Sequence, residues 1–111
     1  LADPHYDLAF STLMLANPPL GGPAPVRAAT RAIGTRLANR FLRTYLRMTG
    51  RNVDPDRLAW GRRAHALRAL VETATWEADG DLDAHRGHPW LTMRTVLEAQ
   101  LDPAHCCERI E

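Results

Sequence analysis

The side chains of this chain best suited to binding or catalysis lie in one short stretch. Asp79, Asp81 and Asp83 alternate with Gly80 and Leu82, Glu77 lies just before them, and His85, His88 and Trp90 follow. Alternating carboxylates open calcium loops, but such a loop wants Gly at its sixth position and Glu at its twelfth. Counted from Asp79, those positions hold Ala84 and Trp90, so calcium ligation is not expected. His85 and His88 are metal-ligand types, yet a three-residue spacing in a loop does not define a site without further ligands and supporting hydrogen bonds. No metal site is assigned. Carboxylates accept strong hydrogen bonds from ammonium groups, and Trp90 could add a cation–π contact of roughly 0.5–2 kcal/mol. The competing reading of the same residues is a solvated polar loop.

Other chemistries are excluded or unsupported. All 14 basic residues are arginine, so the chain has no lysine for a phosphate loop or a Schiff base. Ser11 is the only serine, set among helix-forming neighbours with no His–Asp pair implied around it, which argues against a hydrolase nucleophile. Cys106 and Cys107 are adjacent, a spacing that disfavours a mutual disulfide and suits reduced thiols in a cytoplasmic protein; His105 is the one further metal-ligand type beside them. His5-Tyr6-Asp7 begins like a catalytic HxDxxxxN loop, but the asparagine position is Thr12 and the segment reads as helix.

The net charge is only +1, but its distribution is uneven. Seven arginines and no acid lie between Asp7 and Asp54. Arg36, Arg40, Arg43 and Arg47 recur at helical spacing, a stripe that suits pairing with acids on neighbouring helices or on a missing partner lobe. A pI near 8.1 is too mild to argue for nucleic acid as the partner.

The elements that must position these residues are helices. Asp3-Pro4 and Asp54-Pro55 each place an N-cap before a proline suited to the first helical position. The first opens a helix to Ala16, ended by the Asn17–Pro23 break. A long helix follows from about Pro25 to Thr49, with Val26, Ala29, Ile33, Leu37, Phe41, Tyr45 and Met48 as its expected core face and Gly50 as its stop. A third runs from Pro55 to about Asp79, with Trp60, Ala64, Leu67, Val71, Ala74 and Ala78 in one ladder and Gly80 ending it. Asp81–Gly87 is a polar loop. A last helix from Pro89 to about Leu101 carries Trp90, Met93, Leu97 and Leu101 on one side. No apolar run approaches the roughly 20 residues of a membrane span.

The opening segment, Leu1-Ala2-Asp3-Pro4-His5-Tyr6-Asp7-Leu8-Ala9-Phe10, resembles the "GDPxxDLA" element of the aminoglycoside phosphotransferase and choline kinase superfamily. Asp3, Pro4, Asp7, Leu8 and Ala9 match, and Ala2 stands where that element has Gly. Phe41–Tyr45 followed by Gly50-Arg51-Asn52-Val53-Asp54, and His88-Pro89-Trp90 further on, fit the family's helical texture more loosely. The resemblance implies a helical subdomain of a protein-kinase-like C-terminal lobe. The parent enzyme would transfer the γ-phosphoryl of ATP or GTP, with magnesium, to a small-molecule hydroxyl. Its catalytic Asp, metal ligands and nucleotide loop would all lie upstream of Leu1, so no catalytic residue and no cofactor is assigned within this chain. Asp3 and Asp7 would anchor the catalytic loop from below. Asp79, Asp81, Asp83, His85, His88 and Trp90 would form part of the wall of the acceptor pocket.

The expectation is therefore an all-α fold of about four helices, one helical (sub)domain over 1–111, cut or processed from a longer chain, since it begins with Leu and no leader follows. Its partners would be the N-terminal part of the phosphotransferase and a small-molecule acceptor, in the cytoplasm and away from membranes. Separated from its parent it would self-associate, through a first helix whose Leu8, Phe10 and Met14 have lost their neighbours. The alternative is a non-catalytic helical binding or dimerisation module.

Overall fold

In a computed structural model the described residues are 3–18 and 21–102. They form five helices: α1 (Pro4–Ala16), α2 (Ala24–Thr49), α3 (Pro55–Ala78), α4 (Pro89–Thr92) and α5 (Arg94–Leu101), with a 3-10 turn at Asp83–His85. Among the described residues there is no strand, and no helix is long and apolar enough to cross a membrane. The chain divides into two compact units, 1–62 and 63–111, with the boundary inside α3. The cysteine pair and His105 lie outside the described residues, as do Leu1 and Ala2 of the opening motif.

The helix starts and stops follow local chemistry. Asp3 caps α1 by accepting from the His5 backbone N–H at 3.0 Å, and Asp54 accepts from the Asp56 N–H at 2.9 Å before α3. Gly50 ends α2 in the left-handed region at φ 65°, its N–H bonded to the Leu46 carbonyl. At Gly80, φ 74°, the Gly80 N–H donates to Glu77 O and the Asp81 N–H to Trp76 O, which is a Schellman ending. The expected last helix is broken instead: Met93, at φ −90° and ψ 7°, separates α4 from α5. Its apolar face is kept where it matters, since Met93 and Leu97 are both buried.

The first unit is built around α1. Leu8, Ala9 and Leu58 form its buried centre, with Leu42, Tyr45 and Val53 packed against them. α2 presents Gly34 and Ala38 at its buried face, and Gly34 sits against the Leu15 carbonyl and Pro18. Gly61 of α3 lies against Ala9 in the same way, where an added Cβ would be 2.7 Å from the Ala9 methyl. Small residues at both crossings let the helix backbones approach closely. Thr12, fully buried, donates to the Leu8 carbonyl at 2.7 Å and accepts from Arg62 at 3.1 Å, so its hydroxyl is satisfied within the core.

Two expectations about the core are corrected here. The large apolar residues of α2 point to solvent: Ile33 is 59% exposed, Leu37 50% and Met48 82%, with Val26 and Phe41 exposed as well. The buried row runs through Gly34, Ala38 and Leu42, about 100° around the helix from Ile33, and of the expected face Tyr45 packs against the core with it. In α3 the reversal is more complete. Leu58, Ala66, Ala69 and Thr73 are buried, while Trp60 at 66%, Leu67 and Val71 lie exposed on the opposite side. Close approach is available to small residues and not to large ones, so the tightest contacts formed on the less hydrophobic faces. Leu8, expected on a bare interface, is buried; of that trio Phe10 is exposed.

Candidate functional site

The end of α3 and the turn after it assemble four rings. The Schellman ending at Gly80 folds the chain back over the last turn of α3, and the 3-10 turn at Asp83–His85 brings His85 onto Trp76. The two rings stack at 3.8 Å between centroids with planes 9° apart. Trp90 lies 6.2 Å from Trp76, nearly parallel, and His88 meets both tryptophans edge-on at 5.0 Å. All four side chains are half-buried. The edge-to-face contacts of His88 are a geometry that ring quadrupoles favour, whereas Trp76 and His85 stack face to face.

His88 has a second task. Its Nδ1 accepts from the Trp90 backbone N–H at 3.2 Å, capping α4. A backbone N–H can only donate, so Nδ1 is the unprotonated nitrogen of a neutral imidazole. His85 occupies one face of Trp76, which is the place a bound cation would take in a cation–π site. The acids nearby in sequence, Glu77, Asp79, Asp81 and Asp83, are all exposed. The Asp83 carboxylate is bound by Arg86 at 2.7 Å, a pair more than 80% exposed on both sides and so worth little to stability.

The structure thus splits the sequence-derived candidate set. His85, His88 and Trp90 come together, whereas Asp79, Asp81 and Asp83 form an acidic rim in solvent. Trp76, around which the rings gather, was not singled out from the sequence. Its partners lie nine or more residues away, and only the backward turn at Gly80 joins them. Had the glycine stop been read for its direction as well as its position, the last exposed-looking aromatic of α3 would have been the natural target.

The opening motif is equally well defined. His5 Nδ1 lies 2.9 Å from the Asp3 carboxylate, and His5 Nε2 accepts the Asp54 backbone N–H at 3.0 Å. That second bond requires an unprotonated Nε2, so the ring proton sits on Nδ1 and is donated to Asp3. One neutral histidine therefore ties the start of α1 to the start of α3. The His5 backbone N–H, and next the His5 ring, hold the Asp3 carboxyl below its usual range. Asp7 lies in the first turn of α1, exposed, where the helix dipole favours a negative charge.

Among the described residues no three of His, Cys, Asp and Glu gather as metal ligands. The chain has no lysine to pair with nucleotide phosphates, and no catalytic step is derived through a magnesium–nucleotide site. The arginine stripe of α2 is also unpaired: none of Arg36, Arg40, Arg43 and Arg47 makes an ion pair or hydrogen bond among the described residues. Among the described residues the expected pairing with acids on neighbouring helices is not formed. The chain matches no protein-family model, no curated protein and no solved structure.

Proposed function

We propose that this chain is the helical part of the C-terminal lobe of a phosphotransferase of the aminoglycoside phosphotransferase and choline kinase kind, supplying lobe stability and one wall of the acceptor site. The observation that carries the reading is the use the opening motif is put to. Asp3 caps α1, and Leu8 and Ala9 lie at the buried centre of the first unit, Ala9 at 0% exposure. These are the matching positions of an element that, by resemblance, opens a central helix. The parent enzyme would use ATP or GTP with magnesium held by residues upstream of Leu1. The acidic rim of Glu77, Asp79 and Asp81 suits a cationic acceptor, while Asp83 would first have to release Arg86.

The test uses the parent enzyme. The segment preceding Leu1 should contain an HxDxxxxN loop and a following Asp, and the enzyme should consume nucleotide in the presence of a hydroxyl-bearing cation. Asp79→Asn with Asp81→Asn should raise acceptor KM and leave nucleotide KM unchanged. Micromolar nucleotide binding by the 111-residue chain alone would contradict the assignment. The second reading, a non-catalytic binding module, is favoured by the exposed apolar face of α2.

A further inference from the structure

The surface least explained by the fold is one side of α2. Ile33, Leu37, Phe41 and Met48 form an exposed apolar strip about 22 Å long. On the helix surface Arg36, Arg40, Arg43 and Arg47 run beside it as a parallel row, at i, i+4, i+7 and i+11. Asn39, Leu42 and Leu46 line open grooves with these arginines on the side away from the strip. No acid occurs anywhere in α2, and the four guanidinium groups have no partner among the described residues.

We propose that this face of α2 is a docking site for an acidic amphipathic helix, which lays its apolar row on Ile33, Leu37, Phe41 and Met48 and sets carboxylates against the arginine row. The inference stands independently of the phosphotransferase reading. Charge decides among the occupants. A second copy docking α2 on α2 would oppose six arginines to six with no acid to relieve them. A nucleic acid would engage the guanidinium row but leave most of a long apolar strip wet. A bilayer favours cations on both flanks of a buried apolar face, and here the other flank of the strip is taken by the packing row Gly34, Ala38 and Leu42. A helix lying alongside needs charge on one flank only. Its own i, i+4, i+7 and i+11 positions repeat the arginine spacing, so each guanidinium can meet a carboxylate.

The test titrates the 111-residue chain with a synthetic helix carrying leucines on one face and glutamates along one flank, read by fluorescence anisotropy. Two peptide controls are used: one with lysine in place of glutamate, and one of the same composition with the leucine row scrambled. Phosphatidylserine vesicles and single-stranded DNA serve as the competing probes. The acidic helix should bind at least tenfold tighter than either control peptide, and more weakly as salt is raised. Leu37→Ser with Phe41→Ser should reduce binding at least tenfold with the helical circular dichroism unchanged. Arg40→Gln with Arg47→Gln should flatten the salt dependence. Absence of binding, equal binding of the scrambled peptide, or tighter binding of vesicles or DNA would overturn the proposal.

Discussion

Gly34→Ala is the change in which two physical effects oppose each other most directly. In the interior of a free helix the substitution stabilises by about 0.8–1.0 kcal/mol, because alanine loses less backbone entropy on ordering. Gly34, however, sits in the crossing of α1 and α2. A Cβ built there runs into the Leu15 carbonyl oxygen and lies 3.0 Å from Pro18 Cδ. The oxygen belongs to the backbone and the proline is a ring, so neither can rotate aside. The helices must move apart, which loosens the row running through Ala38 and Leu42. Overpacking of this kind costs about 1–3 kcal/mol, and contact with backbone puts this site in the upper part of that range. The balance is a loss of about 1–2 kcal/mol. With a urea m-value of about 2 kcal/mol/M, the midpoint should fall by roughly 0.5–1 M. The assay is urea unfolding followed by circular dichroism, with Ala32→Gly on the exposed side of α2 as the control. That control lacks any crossing partner and should lose about 1 kcal/mol from propensity alone. A midpoint raised by Gly34→Ala would refute the close approach of α1 and α2.

The other crossing and the first cap give further tests. Gly61→Ala should destabilise for the same reason, and adding Ala9→Gly should recover part of the loss, because the nearest clash is with the Ala9 methyl. Strict additivity in that double-mutant cycle would mean the two residues do not meet. For Asp3 the sign follows from a folded pKa held below 3.8 by the His5 backbone N–H and ring. Its contribution to stability is present in full above the unfolded value of about 3.9 and is lost as pH falls through the lower folded value. The gap in thermal midpoint between the native chain and Asp3→Ala should therefore close as the solution is taken from neutral to strongly acid pH. A gap that stays constant would remove the His5–Asp3 interaction as its source.

The sequence was informative wherever structure depends on a single residue's backbone chemistry. The Asp-Pro starts, the glycine stops at 50 and 80 and the extent of α1 were legible, because capping and left-handed turns are local matters. The broken last helix was not, since nothing around Met93 forbids a continuous helix. Of the candidate site, the nearness of His85, His88 and Trp90 could be read from their short separation. The role of Trp76 could not, because only the turn at Gly80 brings its partners onto it.

By itself, then, the sequence determined an all-helical chain, the start and stop of most helices, and the concentration of positive charge in α2. The tertiary structure alone decided which face of each long helix is buried. Hydrophobic periodicity marks the row with the largest apolar side chains, and in α2, Tyr45 apart, and in α3 that row was not the one used. Gly34 and Gly61 contribute little apolar area of their own, yet they permit a distance between backbones that Ile33 or Trp60 would prevent. The gain from packing at that distance belongs to both helices at once, and no window of a single helix contains it.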